Sequence, residues 1–446
     1  FDLRRDMQFE TTITSAVFDE AANRWLVTTD KGECISARYC IMGTGCLSTA
    51  RTPNFEGLSS YKGETYHTGH WPHEPVSFEG KRVGVIGTGS SAIQAIPVIA
   101  EQAAHVTVFQ RTPNYSIPSR NGPMTDDYER SWKDDYDTHR ANARKTKNGI
   151  LANLNPVSAM EVDQTERRET YEQRWADGGT RFMAAFNDLA INQDSNDTAA
   201  EFVRSKIRET VKDAAKAELL AAKDYPIGTK RICVDTHYFE TYNLEHVDLV
   251  DIRNEPIDRI TEDGARHNGV DYSFDAIVFA TGFDAMTGTL DRIDIRGRGD
   301  VALREQWEEG PKTYLGMMSA GFPNLFMVTG PQSPSVLSNM MVSIEQHINW
   351  MSECIAHIEK TGQRTIEPTS SAQEDWVTHS NEVAHSTLYP KAASWYMGAN
   401  IPGKPRVFLP YIGGVGAYRD KCNEIAAQGY TGFVFDAGSG AAVAAE

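Results

Sequence analysis

The chain is 446 residues long, 40% hydrophobic and 24% charged, with a formal net charge of −17. That length suits two or three globular domains, and the acidic balance excludes the clustered Lys and Arg that nucleic acid or an anionic membrane surface demands. What remains is small-molecule chemistry, with no nucleic-acid and no membrane partner expected.

From Phe9 to Met42 the alternation predicts an antiparallel meander. Its strands are "FETTITSAVFD", "RWLVTTD" after a Glu20–Asn23 turn, and "CISARYCIMGTG" after Lys31-Gly32. The chain enters this meander almost at once and without an initiator Met, as a fragment would whose earlier helix and strand had been cut away. A polar loop through Pro53 and Gly57 leads to "YKGETYHTGHWP", Tyr61 to Pro72, expected as a loop on a linker. Next, Val83 to Ile86 predicts a buried strand, Gly87 to Ala92 a turn into a helix, and Val106 to Phe109 the following parallel strand, together a βαβ unit.

Between Thr125 and Asp224 the composition turns charged and Ala-rich, which predicts an inserted helical lobe with a solvated outer face. One of its helices is expected to open on a capping box of Thr198 and Glu201 and to bury Phe202, Val203, Ile207 and Val211. Strand signals return at "KRICVDT", "VDLVDI" and "AIVFATGF", with an Asp263-Gly264 turn before the last. The uncharged run Thr313 to Ile344, broken by Pro323, Pro331 and Pro334, reads as the lining of a buried site rather than a membrane span. A helix near Val342 to Glu359, a Pro/Gly-rich stretch and a disordered tail "GSGAAVAAE" complete the chain. Six cysteines without a CxxC pair, zinc spacing or disulfide framework predict reduced thiols, a cytoplasmic setting and no metal.

The chemistry begins at "GTGSSA", which matches GxGxxG/A after a strand and before a helix. Gly87 permits the tight turn, Gly89 lets a pyrophosphate approach the backbone, and Ala92 allows close packing of helix on strand. Where an NAD site places an acidic residue, this chain has Gln110, Arg111 and Thr112. A guanidinium and a hydroxyl suit a 2′-phosphate, so NADPH is expected.

"FDAIVFATGFD" and "YCIMGTG" resemble the paired strand-to-glycine crossings of flavoproteins with two dinucleotide-binding domains. "YKGETYHTGHWP" resembles the fingerprint FxGxxxHxxxW(P/D) of Baeyer–Villiger monooxygenases, class B flavoprotein monooxygenases, through Gly63, His67, Trp71 and Pro72, with Tyr61 in place of Phe. "GTGSSAIQ", "FQRTPNYSIPSRN", "YPIGTKR", "GPQSPSVLSNMMVSIEQHINW" and "SWYMGANIPGKPRVF" extend the resemblance over nearly the whole chain, toward the phenylacetone and steroid monooxygenases of that family.

The resemblance implies an α/β protein of two Rossmann-like domains with a helical insertion in the NADP domain. The expected division is residues 1–75 as a truncated FAD domain and linker, 76–124 and 226–282 as the NADP domain, 125–225 as the insertion, and 283–446 as the rest of the FAD domain. It implies FAD and NADPH as cofactors, a ketone and molecular oxygen as reactants, and a flavin peroxide that inserts oxygen beside the carbonyl to give an ester or lactone. Arg231 matches the active-site arginine, and Gly87, Thr88, Gly89, Ser90, Ser91, Gln94, Arg111, Thr112 and Lys230 match the NADP site. Trp395 matches a mobile-loop residue on NADP, Met340 a position near flavin and substrate, and Ile13 a backbone contact on the strand passing the FAD adenine. His67 is expected as a hinge element rather than a base.

The family opens on a further βαβ unit with its own GxGxxG for the FAD pyrophosphate, and Gly43-Thr44-Gly45 has the wrong context for that task. The expectation is a chain lacking much of its flavin site. The alternatives that remain are a heteroatom-oxidising flavin monooxygenase of the same plan and a non-catalytic NADP-binding fragment.

Overall fold

The computed structural model describes residues 1–51 and 53–436; the tail expected to be disordered lies outside the described residues. Strands β1 (Ile13–Asp19), β2 (Arg24–Thr29) and β3 (Cys34–Ala37) form the meander, burying Ala16, Phe18 and Trp25. The run expected as one third strand breaks in two. Arg38 donates to Glu359 Oε1 at 2.7 Å and to the Gln363 carbonyl at 2.5 Å, which turns the chain away from the meander. Cys40–Met42 then forms a separate β4, paired in parallel with Leu325–Met327.

Strand β5 (Glu64–His67), β6 (Arg82–Ile86), helix α1 (Ser90–Gln102) and β7 (His105–Gln110) follow. The segment expected as a linker loop therefore carries a strand, since Glu64 to His67 pair in register with Ala276 to Phe279. After the short β8 (Ser116–Pro118) come α2 (Asp126–Lys133), α3 (Tyr136–Ala143), α4 (Gln164–Asp177), α5 (Gln193–Thr210) and α6 (Ala214–Leu220). The expected capping box is absent. Helix α5 starts earlier, where Asn192 Oδ1 accepts the Ser195 N–H at 3.3 Å. Thr198 sits inside the helix, its hydroxyl donating to the Ser195 carbonyl at 2.7 Å and meeting the Tyr171 hydroxyl at 2.8 Å. The stripe Phe202, Val203, Ile207 and Val211 is buried as expected, in one continuous core with Val83, Val85 and Ile93 of the βαβ unit.

Strand β9 (Cys233–Asp235) pairs with β8, and α7 (Tyr238–Thr241) leads into β10 (Val247–Asp251). An unforeseen antiparallel meander follows: β11 (Arg259–Thr261), β12 (Gly264–His267) and β13 (Val270–Ser273). Its first turn is Glu262-Asp263, one residue before the expected one, and Gly264 already lies in β12, where an added Cβ would stand 1.8 Å from the Tyr272 carbonyl oxygen. Asn268-Gly269, with φ of 49° and 74°, makes the second turn, the pairing that hairpins prefer. Strand β14 (Ala276–Phe279) completes a five-stranded sheet in the order β10-β7-β6-β14-β5, parallel throughout.

The remainder pairs back onto the opening strands β1 and β4 and forms with them a first lobe, separate from the parallel sheet. Helix α8 (Gly288–Arg292), β15 (Asp294–Arg296) alongside β1, α9 (Leu303–Gln306) and β16 (Leu325–Met327) lead to α10 (Met340–Thr361). Asn339 caps α10 through the Met341 N–H, and Gly362, at φ 68°, ends it. Strand β17 (Thr365–Pro368), α11 (Ser370–His385), α12 (Val415–Ala427) and β18 (Phe433–Asp436) finish the described chain. The uncharged run is buried through most of its length and held by polar side chains. Gln332 accepts from the Thr313 N–H at 3.0 Å and hydroxyl at 2.7 Å, and donates to the Pro311 carbonyl at 2.9 Å. Among the described residues, no helix is long and apolar enough to cross a membrane, and no group of His, Cys, Asp and Glu could hold a metal ion.

Candidate active site

The site grows from the carboxyl edge of the parallel sheet, where Ile86 and Phe279, the last residues of β6 and β14, stand in register with Phe109 of β7. Gly87 N–H donates to the Phe109 carbonyl at 3.0 Å, with φ at +115°, and a Cβ there would lie 2.5 Å from the Ala280 carbonyl oxygen. No side chain but hydrogen fits that turn. Gly89 caps α1 with no side-chain acceptor on the first N–H groups, and nothing lies within 4 Å of where its Cβ would be. Free N–H groups facing open space at the positive end of a helix dipole fit a pyrophosphate. Buried Thr88 donates to the Thr112 carbonyl at 2.8 Å, tying the turn to the end of β7, while Ser90, Ser91 and Gln94 stand exposed, with Gln94 Nε2 donating to Ser90 Oγ at 3.2 Å.

Beyond β7, Arg111 is exposed. Lys230 is half-buried with Nζ 4.4 Å above the Tyr225 ring, and burial, then the charge of Arg111, pulls its pKa down to about 8. Among the described residues neither cation has an ion pair. The carboxylate that acts on Lys230, that of Asp224, is itself paired with Arg253 at 3.0 Å, so the two neighbouring cations repel one another and fit a phosphate dianion. The next residue, Arg231, is exposed and also free of any ion pair among the described residues. Its charge opposes the upward push that burial gives the Cys46 thiol and the Tyr396 phenol, so the guanidinium faces both the first lobe and the C-terminal loop.

That loop brings further expected residues to the same place. The Trp395 ring lies 4.2 Å from that of Tyr396, and Trp395 and Met340 both pack on the cluster of Cys46, Met286, Val336 and Phe408. Ile13 stands apart from this cluster, at the first position of β1 opposite Thr29.

The fingerprint segment forms a crossing between the lobes. A Cβ on Gly63 would stand 2.7 Å from the Asp275 carbonyl oxygen, and one on Gly69 would stand 2.8 Å from the Phe283 ring and 3.0 Å from Ala50 Cβ. Half-exposed Trp71 packs on Tyr66 at 5.3 Å and Phe78 at 6.2 Å. Buried His67 accepts the Gly69 N–H on Nδ1 at 2.9 Å, so its proton is on Nε2, which donates to the Arg51 carbonyl at 3.0 Å. Burial keeps its pKa below the usual value, and the ring is neutral. All its hydrogen bonds hold chain to chain.

Several residues that frame the site carried no sequence motif. Asn400 Nδ2 donates to the Phe283 carbonyl at 2.7 Å, and Lys404 Nζ binds Asp284 Oδ1 at 2.6 Å and the Ala285 carbonyl at 2.9 Å. The Arg51 guanidinium donates to the Asn400 carbonyl. Together they clasp the 395–404 segment to the residues after β14. The "PGKP" and "ARTP" contexts of Lys404 and Arg51 read only as turns.

For the flavin, the described residues supply the apolar cluster beside Arg231. A second strand–glycine turn–helix unit, which the resemblance assigns to the FAD pyrophosphate, is not among them.

A family model described as pyridine nucleotide-disulphide oxidoreductase matches residues 6–134. A Baeyer-Villiger monooxygenase of Pseudooceanicola batsensis is 40% identical over 441 residues, which is 98% of this chain and 79% of that protein. Among solved structures, an oxidized steroid monooxygenase bound to NADP is 49% identical with a TM-score of 0.93, covering 98% of this chain and 82% of that one. OTEMO in complex with FAD and NADP is 38% identical with a TM-score of 0.94, covering 97% and 82%. Identity of this size over almost all of the chain, together with a matching fold, settles the family: the chain belongs to the Baeyer–Villiger monooxygenases.

Proposed function

We propose that the protein converts a ketone into an ester or lactone, consuming one O2 and one NADPH with a proton and releasing water and NADP+, with aryl or cyclic ketones as substrates. Supporting this are the membership just given and solved relatives that carry FAD and NADP. The observation that carries the reading is Arg231, a cation without a carboxylate partner among the described residues, at the edge of the apolar cluster of Trp395 and Met340. When bound, FAD supplies oxygen activation and NADPH the electrons.

In this reading Gly87, Thr88, Gly89, Ser90, Ser91 and Gln94 hold the dinucleotide's phosphates, and Arg111, Thr112 and Lys230 its 2′-phosphate. Arg231 stabilises the negative charge that oxygen transfer to a carbonyl creates; a guanidinium stays protonated at any working pH and releases no proton to that oxygen. Trp395 and Met340 exclude water, and His67 holds the crossing between an NADP lobe, residues 64–282, and a second lobe of residues 1–51 and 283–436. Ile13 is assigned a backbone contact to FAD. Six free cysteines support a cytoplasmic setting.

The test is product analysis after incubating the protein with FAD, NADPH, oxygen and either an aryl ketone or a sulfide. Ester from the ketone is the expected result. Sulfoxide with no ester moves the protein to heteroatom oxidation, and neither product removes it from oxygenation altogether.

A further inference from the structure

One cation at the sheet edge has so far been given no part in holding the dinucleotide. Arg51 lies outside the β6–α1–β7 unit, yet its backbone is fastened to the same edge. Its N–H donates to the Gly282 carbonyl at 2.9 Å, and its own carbonyl accepts from Thr281 Oγ1 at 2.5 Å and His67 Nε2 at 3.0 Å. Gly282 follows β14, whose neighbour Ala280 abuts Gly87. Arg51 therefore flanks the glycine turn on one side, while Arg111, after β7, flanks it on the other.

Adjacent strands are about 4.8 Å apart, so both side chains are long enough to reach the space over Gly87 and Gly89. The Arg51 guanidinium is part-buried, makes its hydrogen bond to the Asn400 carbonyl, and has no ion pair among the described residues. Arg111 is the main charge it senses. Asp284 also faces it, but that carboxylate is held by Lys404. Two guanidiniums carried on either side of the uncapped end of α1, close enough to sense each other's charge, repel one another unless an anion lies between them.

We propose that Arg51 binds the pyrophosphate of the nicotinamide dinucleotide, closing over the Gly87–Gly89 turn from the side opposite Arg111; this rests on the reading of that turn as the NADPH site. The Asn400 bond makes the same guanidinium a link from the pyrophosphate to the segment that carries Trp395.

The test is calorimetric titration of the purified protein with NADP+ and with 2′-AMP, which keeps the 2′-phosphate but has no pyrophosphate. Arg51→Gln is expected to weaken NADP+ about tenfold, the value of one charge-assisted hydrogen bond, and to leave 2′-AMP within about twofold. Arg111→Gln weakens both ligands. Arg51→Lys keeps the positive charge and is expected to hold NADP+ within about threefold of the unsubstituted protein, which also covers the case of a Gln variant that folds poorly. NADP+ binding unchanged in Arg51→Gln, or equal losses of NADP+ and 2′-AMP, overturns the proposal while leaving the NADPH site standing. Failure of the unsubstituted protein to bind either ligand overturns the site and this proposal together.

Discussion

The two lobes keep their shape by different means. The parallel-sheet lobe packs a large core in which Val83, Val85, Val106, Val108, Ala276 and Val278 are fully buried and which the helical insertion joins, and a second, smaller core around Ile86, Phe109, Ile277 and Phe279. The other lobe divides its apolar side chains among separate clusters around short strands. Its irregular backbone is held by buried polar groups: Gln332 on residues 311 and 313, His347 accepting the Thr329 N–H at 2.9 Å and meeting the Tyr418 hydroxyl at 2.9 Å, and Gln373 accepting the Ala320 N–H at 2.8 Å. A lobe built on sheet periodicity presents a stiff edge to a cofactor tail. One built on polar ties can shape loops around a reacting centre, at the risk that losing one tie unpairs several buried groups.

That contrast can be broken at several points. The largest effect is expected where the lobes meet, at Arg231. Replacing it by Ala should lower ester formation at least about a hundredfold while NADPH still reduces added FAD, the scale of losing one preorganised charge-stabilising group. Stopped-flow absorbance separates the two steps, and undiminished ester formation would take Arg231 out of the chemistry. In the polar lobe, Gln332→Ala leaves the Thr313 N–H and the Pro311 carbonyl without partners in a buried place, while the Thr313 hydroxyl keeps its bond to the Pro331 carbonyl. A loss of about 3 kcal/mol by urea titration is expected, and a loss below about 1 kcal/mol would show that water replaces the amide.

Arg111→Ala probes the sheet lobe's edge, with NADPH expected to weaken by about 2 kcal/mol and NADH hardly at all; equal losses would put the 2′-phosphate elsewhere. Lys230 sharpens this through pH. Its folded pKa is lowered to about 8, so the charged form that binds phosphate is lost as pH rises through that value. Affinity for NADPH should be level below pH 8 and fall by at most about tenfold per unit above it. Lys230→Arg should abolish the fall, and a fall that survives in that variant would exclude Lys230 as its source. The smallest expected effect is Ile277→Val at the centre of the parallel sheet, about 1 kcal/mol for one buried methylene. A larger cost there than for Gln332→Ala would reverse the contrast between the lobes.

The sheet lobe was the more legible of the two for the same physical reason. Buried β-branched runs around Gly87 and Gly89 have a period and a punctuation that sequence displays directly, and they carried the turn, the helix and both flanking strands. The Asn268-Gly269 turn is a hairpin signal of the same local kind. Thr198-x-x-Glu201 misled because the capping pattern also occurs inside a helix, where Asn192 and the Tyr171 contact decided the true start. In the polar lobe, family resemblance pointed to Trp395 and Met340, which the fold packs on one apolar cluster, whereas local pattern showed nothing of Asn400, Lys404 or Arg51. Their partners are carbonyls and carboxylates more than a hundred residues away, a relation that no local spacing encodes.

The adjacency of Lys230 and Arg231 limits how this protein could be re-engineered. In the proposed reading one peptide unit would fix both the grip on the carrier's far end and the charge at the reacting end, so a change of backbone made to retune the first would displace the second. Conversion to the cheaper unphosphorylated coenzyme should therefore start from Arg111, which follows β7 in a separate part of the chain, and leave the 230–231 pair untouched.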